Sequence, residues 1–377
     1  MPSPCEIVHA RVRVLSAPVS DGTAMSFGSL TRRATVLLEI ETRDGLVGLG
    51  ESWVNFPEWA PTERVATLTH GVIPILLNED ARRITQLHRV MMSNLGPLGR
   101  QWGAPGPVMQ AISAADIALW DLRGKAHGES VASLLGGRVR EVVPVYASSL
   151  GPQGVAYDGA QCRSNGFGGV KVKLGFGRTR DEATLAEARG VLGSEVTLCA
   201  DANQAWTLVE AVSMGPLLHE HDVAWVEEPI QGNQLADLEA FYERTGLPVA
   251  TGENLHSVEV FLQYIASPAV HIVQPDVTKA GGFSDLLAIC RIADALGVEV
   301  MPHFYGGAVG FGATLQCAAC MPSVSRVEYD VRENPLRDSL LLNGPVPVGG
   351  VVAIPDGPGL GLDLDLDAME PYLVDRP

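Results

Sequence analysis

The sequence predicts an α/β chain in which a (β/α) barrel follows a separate α+β unit. Two observations carry this. From residue 143, a short apolar run ending in polar residues is followed by a helical stretch, and the unit recurs as VPVYAS, GVKVK, VTLCADAN, VAWVEEP, PVATGEN, HIVQPD, VEVMPH and RVEYD. The polar ends Tyr146, Lys173, Asp201, Glu227, Glu253, Asp276, His303 and Glu328 are spaced by 27, 28, 26, 26, 23, 27 and 25 residues. That is the length of one strand, one average helix and two short loops. The second observation is that residues 1–135 follow a different pattern, strands first and helices after.

In chain order, residues 6–15 and 34–42 alternate as strands, and Arg43-Asp44-Gly45 before LVGLGE is a hairpin turn. Residues 62–77, 82–94 and 107–127 then carry apolar residues at helical spacing, the last as Val108, Ile112, Ala115, Leu119 and Leu122. The predicted organisation is an α+β domain at 1–135, the barrel at 136–345 and a segment at 346–377. That last segment, with PVPVGGVVAIPDGPGLGLDLDLDAM, is too irregular for another barrel unit and is expected to return to the first domain.

An apolar content of 46% supports a substantial core, and 27 Lys and Arg against 44 Asp and Glu leave a net charge of −17. No surface for tracking nucleic-acid phosphates is expected from such a balance. Six scattered cysteines do not make a disulfide framework, and neither a signal peptide nor a membrane span is recognisable, so a cytoplasmic protein is expected. Cys317 and Cys320 lie in a helical run without a second pair for zinc, and Gly175-Phe176-Gly177 lacks the third glycine of a dinucleotide fingerprint.

The carboxyl ends of barrel strands carry the chemistry. In GVKVKLG, alternation puts Val170, Val172 and Leu174 toward the helices and Lys171 and Lys173 into the barrel. Desolvation and mutual repulsion are expected to lower both lysine pKa values, which suits an amine base near neutral pH. Asp201, Glu227 and Glu253 end three consecutive strands, and carboxylates converging on one rim repel unless a cation lies between them. Hard oxygen donors select Mg²⁺ over zinc, with Mn²⁺ the alternative. Alternation makes Glu227 and Glu228 face opposite ways without saying which is the ligand. Asn203 is expected beside the metal or the substrate. Asp276 can hold the His303 imidazole as an acid/base pair, and Glu328 is expected to donate a hydrogen bond if it stays protonated among other acids. An amine on one side of a metal-held substrate and an imidazole on the other suit removal of a proton next to a carboxylate, through a metal-stabilised enediolate.

Taken together, AISAADIALWDLRGK at 111–125, KVK at 171–173, DAN at 201–203, EEP at 227–229, GEN at 252–254, PDVTKAGG at 275–282, His303, Glu328 and PDGPGLG at 355–361 resemble the enolase superfamily. The resemblance is to the mandelate racemase subgroup of the mandelate racemase/muconate lactonizing enzyme family, and it covers essentially the whole chain. It implies a modified TIM barrel, (β/α)7β, in which a strand replaces the last helix, with an α+β capping domain built from both chain ends. It implies Mg²⁺ on Asp201, Glu227 and Glu253, with Lys173 as one base and Lys171 as its electrostatic partner. His303 with Asp276 would be the opposite acid/base pair, and Glu328 would bond the substrate carboxylate.

The resemblance further implies that substrate choice lies in two capping-domain loops, which here correspond to residues 16–33 and 51–61. Trp53, Phe56 and Trp59 are expected there as a hydrophobic lid, and Arg32 or Arg33 as the partner of a second carboxylate or of hydroxyls. Tyr305, in HFYGGAVGFGATLQ, is also expected at the substrate, and this stretch with EYDVRENPLRD is similar to acid-sugar dehydratases and lactone cycloisomerases. The expected activity is loss of water from a small sugar acid. A racemase, epimerase or lactone cycloisomerase would share the enediolate, and a metal- and anion-binding protein without catalysis is the reading from another class. Homo-oligomers are common among barrels of this family, so one is expected here.

Overall fold

The computed structural model describes residues 3–374. Strands β1 (Ile7–Met25), β2 (Gly28–Thr42) and β3 (Val47–Ser52) form an antiparallel sheet in that order. The β2–β3 turn falls at Arg43-Asp44-Gly45, with Gly45 at φ +85°, a conformation that glycine alone adopts without strain. The first hairpin is longer than expected. Its strands pair from Ile7↔Thr42 out to Met25↔Gly28, so 16–33 is an extended two-stranded arm rather than a loop. A register shift between Pro18 and Thr23 breaks the alternation that would have signalled it.

β3 packs on the helix Pro105–His127 with almost no side chain between them. A Cβ at Gly50 would stand 1.8 Å from the Ala114 carbonyl oxygen and one at Gly48 2.3 Å from that of Ala118. The preceding helix, Ile84–Trp102, runs past its expected end at 94 because it absorbs Pro97.

The barrel strands are β4 (Val142–Leu150), β5 (Gly169–Lys173), β6 (Thr197–Asp201), β7 (Val223–Glu227), β8 (Val249–Thr251), β9 (Val270–Val273), β10 (Glu299–Val300) and β11 (Val327–Asp330), all parallel. Their order is β10-β9-β8-β7-β6-β5-β4-β11. A helix of at least eight residues follows each of the first seven strands, whereas β11 is followed by the single helical turn Pro335–Asp338 and by β12 (Val351–Ala353), antiparallel on β4. This is the (β/α)7β barrel. β10 is short because Pro302 brings no N–H to the ladder. Val300 therefore closes the sheet by accepting from Ser325 N and donating to Ser323 O, both at 3.1 Å.

Outward residues such as Val170, Val172, Leu198 and Val226 pack on the helices in the main core. Inside the barrel, Tyr146, Cys199, Trp225, Ala250, Ile272 and Met301, none more than 5% exposed, form a separate apolar plug beneath the polar strand ends. The C-terminal segment passes the first domain where Leu360 N donates to Asp121 Oδ1 at 2.9 Å and Val374 N to Val14 O at 2.9 Å. Residues 375–377 lie outside the described part. No helix among the described residues is long and apolar enough to cross a membrane.

Candidate active site

β5 and β6 pair Lys171↔Cys199 and Lys173↔Asp201, which sets both lysines on the inward face. Lys171, 1% exposed, donates to the two carboxylate oxygens of Glu227 at 2.8 and 2.7 Å and lies 2.8 Å from Glu328 Oε1. Lys173 donates to Asp201 Oδ2 at 2.5 Å and to Asn203 Oδ1 at 2.9 Å. These partners overturn the expected lowering of the lysine pKa values. Burial works downward on Lys171, but Glu227 and Glu328 outweigh it and hold the ammonium well above the ordinary range. On Lys173, burial is likewise overcome, chiefly by Asp201, and repulsion from Lys171 is too weak to reverse the sign.

Asp201 and Glu227 are fully buried, and Gln274 Nε2 donates to Glu227 Oε2 at 2.5 Å. Burial first, and then Asp201, Glu328 and Glu253 against the pull of Lys171, push the Glu227 carboxyl up to about 8. The mouth thus holds more negative charge than its lysines neutralise, and three hard oxygen donors in that field fit a divalent cation. As they stand, no three His, Cys, Asp or Glu side chains among the described residues are gathered as an ion cage. Each carboxylate has a nitrogen partner instead: the Lys173 ammonium on Asp201, the Lys171 ammonium on Glu227 and the His303 imidazole on Glu253.

The chain leaves these strands through left-handed backbone at Asn203 (φ +45°), Gln204 (+58°) and Glu228 (+38°). At Glu228 the turn cancels the expected alternation. Its carboxylate lines the same cavity as Glu253 and accepts from Gln204 Nε2 at 2.7 Å and Asn254 Nδ2 at 3.0 Å.

His303 Nδ1 stands 2.7 Å from Asp276 Oδ2 and its Nε2 3.2 Å from Glu253 Oε2. Asp276 is oriented by Thr278, whose amide and hydroxyl donate to Oδ1 at 2.8 and 2.6 Å. Burial would lower the imidazole, yet Glu253 and Asp276 raise it above the usual histidine value. Glu328 departs from expectation. Burial opposes its ionisation, but Lys171 and His303 bring it down to about 2, so it is an ionised acceptor for Ser148 Oγ at 2.5 Å and Phe304 N at 3.1 Å. In that state it accepts rather than donates.

Lys173, Asn203, Glu253, His303, Tyr305 and Glu328 face one cavity of about 560 Å³, roofed by Met25, Phe27, Trp53 and Phe56 of the first domain. Trp59, 68% exposed, lies outside it. Arg32 does too: it lines a separate cleft of about 430 Å³ and bonds Ser16 Oγ at 2.9 Å. Adjacent residues of β2 point oppositely, and it is Arg33 that turns to the barrel, where Asp330 Oδ2 at 2.5 Å and the Tyr305 ring engage it. Sequence reasoning missed Lys279, whose ammonium lies 4.3 Å from the Trp53 ring centroid and donates to Asn254 Oδ1 at 3.2 Å. Its signal was its place three residues beyond Asp276 in PDVTKAGG. Met25 and Phe27, at the arm tip, carried no such signal.

Residues 7–136 match the mandelate racemase/muconate lactonizing enzyme N-terminal domain, and residues 157–368 match the enolase C-terminal domain-like family. The chain is 36% identical to D-galactarolactone cycloisomerase of Agrobacterium fabrum, over 92% of this chain and 93% of that one. It is 32% identical to L-talarate/galactarate dehydratase of Salmonella typhimurium, over 94% and 87% respectively. Among solved structures, a racemase from Streptomyces coelicolor with bound magnesium superposes with a TM-score of 0.88 at 25% identity, covering 98% of this chain and 100% of that one.

Proposed function

Because the chain belongs to the mandelate racemase/muconate lactonizing enzyme family of the enolase superfamily, we propose that it removes the proton alpha to the carboxylate of a sugar acid and expels the β-hydroxyl as water, as an acid-sugar dehydratase. The observation that carries this reading is a single cavity onto which an amine, Lys173, and a carboxylate-held imidazole, His303, both open. Asp201, Glu227 and Glu253 would hold Mg²⁺, which when bound supplies positive charge against the negative charge developing on the substrate carboxyl.

Lys173 takes the α-proton after its ammonium has released its own proton to water, which burial and Lys171 favour once Asp201, Glu227 and Glu253 no longer hold it up. The C–H pair becomes the new double bond as the β C–O bond breaks, and His303, oriented by Asp276, gives its proton to the leaving hydroxyl. The enol then tautomerises to a 3-deoxy-2-keto acid. Glu328, as an ionised acceptor, anchors Lys171 rather than donating to the substrate.

A second reading, favoured by the 36% identity to a lactone cycloisomerase, keeps the first step and returns a proton to carbon after a ring bond has broken. NMR of the Mg²⁺-loaded protein in D₂O with mono- and diacid sugars and their lactones separates the two. New 3-deoxy-2-keto signals from an open acid, with loss of water, establish dehydration. The same signals formed only from a lactone, with no water lost, establish the second reading, and deuterium at the α-carbon with every C–O bond intact overturns both in favour of a racemase or epimerase. Lys173→Ala and His303→Asn are each expected to abolish turnover, and full activity in both sinks the assignment.

A further inference from the structure

The segment after β10 that carries His303 is held from the capping domain at three points. Asn55 Nδ2 donates to Tyr305 O at 2.5 Å, and the Arg33 guanidinium lies 4.8 Å from the Tyr305 ring centroid. The third is Glu51, next to last in β3 and 1% exposed. Its two carboxylate oxygens accept from Gly307 N at 2.6 Å and Gly310 N at 2.8 Å. Those amides open the helix Ala308–Cys320, where the first N–H groups have no partner within the helix. Burial pushes the Glu51 carboxyl up and both amide bonds pull it back down. Only the ionised form accepts both amides through two equivalent oxygens, as a charge favoured at a helix start.

The sequence leaves room for this carboxylate. A Cβ at Gly306 would stand 2.7 Å from Glu51 Oε1, one at Gly307 3.0 Å from Oε2, and one at Gly310 3.2 Å from Cδ. The Gly310 position also stands 2.8 Å from Thr278 Cγ2. Thr278 is the residue whose amide and hydroxyl fix Asp276 Oδ1, while Asp276 Oδ2 holds His303. No side chain fits between the Gly310 turn and Thr278, the residue that orients Asp276 on the imidazole.

We propose that Glu51 is a positioning residue: acting through the Gly307–Gly310 turn and Thr278, it fixes the Asp276–His303 pair, so that the capping domain sets the geometry on the imidazole side of the cavity. The effect on turnover rests on His303 being the proton donor proposed above. The geometric effect does not. Glu51→Gln keeps the volume but turns an amide donor toward a backbone N–H, so one of the two helix bonds is lost.

The test is ¹H NMR of the Mg²⁺-loaded protein, following the downfield resonance of the His303 Nδ1 proton bonded to Asp276, assigned by its disappearance in His303→Asn. In Glu51→Gln this resonance is expected to move upfield or vanish, and kcat to fall on the order of 100-fold with KM little changed. Gly310→Ala presses on the same contact with the carboxylate intact, is expected to shift the resonance the same way, and serves alone if Glu51→Gln does not fold. An unchanged resonance in the folded variants overturns the proposal. Should the wild-type protein turn over no acid sugar, the function assigned to His303 fails while the resonance still decides the role of Glu51.

Discussion

Lys171 shows how one side chain can hold a charged interior together. It pairs with Glu227 and Glu328 at 2.7 and 2.8 Å while almost wholly buried, and removing one member of such a group strands the others in a low dielectric. Lys171→Met is therefore expected to lower unfolding stability by roughly 3–5 kcal/mol, measured by urea denaturation. Ser148→Ala, which deletes one of several donors to Glu328, should cost about 1 kcal/mol. Lys171 and Lys173 could be read from the sequence because period-2 alternation says what points inward in a short strand, and Asp201, Glu227, Asp276 and His303 because they recur at or just past regularly spaced strand ends, although only the family resemblance separated Glu227 from Glu228. Their protonation could not. The sign of the lysine shifts depends on which carboxylate each ammonium meets across two strands, and Glu328 loses its expected proton for the same reason. Glu51 and Lys279 were passed over because one lies in a strand of the other domain and the other sits in a loop.

Two elements reach from the first domain to the barrel mouth. The β1–β2 arm lays Ser26 Oγ 3.1 Å from Ala202 O and 3.2 Å from Asn203 O, with Phe27 edge-on to Phe56 at 5.4 Å. Phe27 is 63% exposed, so Phe27→Ala should leave Tm nearly unchanged while KM rises several-fold in steady-state kinetics, because a roof contact is lost without a core contact. The second element is the helix Pro105–His127, whose Asp116 accepts from Ser284 N at 3.0 Å and Ser284 Oγ at 2.5 Å at the start of the helix Gly282–Leu296. Beside it, burial, then Asp116 and Glu259 against His88, raise Asp285 from 3.8 to about 6. A carboxyl raised by folding keeps its proton in the native state, so its contribution falls as pH rises from the unfolded to the folded value and stays lost above that. Asp285→Asn should therefore match the wild type near pH 4 and exceed it by roughly 1–2 kcal/mol above about pH 6, in urea unfolding across that range. Neither element was fully visible beforehand. The arm was hidden by its register shift at Pro18, and Asp116 lies within a helical pattern, AISAADIALWD, that reveals a buried face but not what the face meets.

For the molecule as a whole, the eightfold spacing of polar strand ends was enough to reveal the barrel, because strand and helix lengths are tightly constrained. Its closure was not, since β10 is cut to two residues by Pro302 and the join is made by Val300 with Ser323 and Ser325. With a net charge of −17 and a Glu227 carboxyl at about 8, the mouth should gain from a bound divalent ion. Chelation with EDTA is expected to abolish turnover and lower Tm by several degrees, with added Mg²⁺ restoring both; calorimetry and activity assays check this. The plug of Tyr146, Cys199, Trp225, Ala250, Ile272 and Met301 has a further effect. It closes the inner end of the cavity, so water enters from the mouth, where the exposed Gln231, Gly232 and Asn254 lie opposite the hairpin arm. In the proposed reaction, hydrogen lifted from a substrate would meet bulk water only at that end. The isotope carried by molecules re-formed in heavy water would then be a clock: the more protium they retain, the slower the exchange at the mouth relative to the return of the proton.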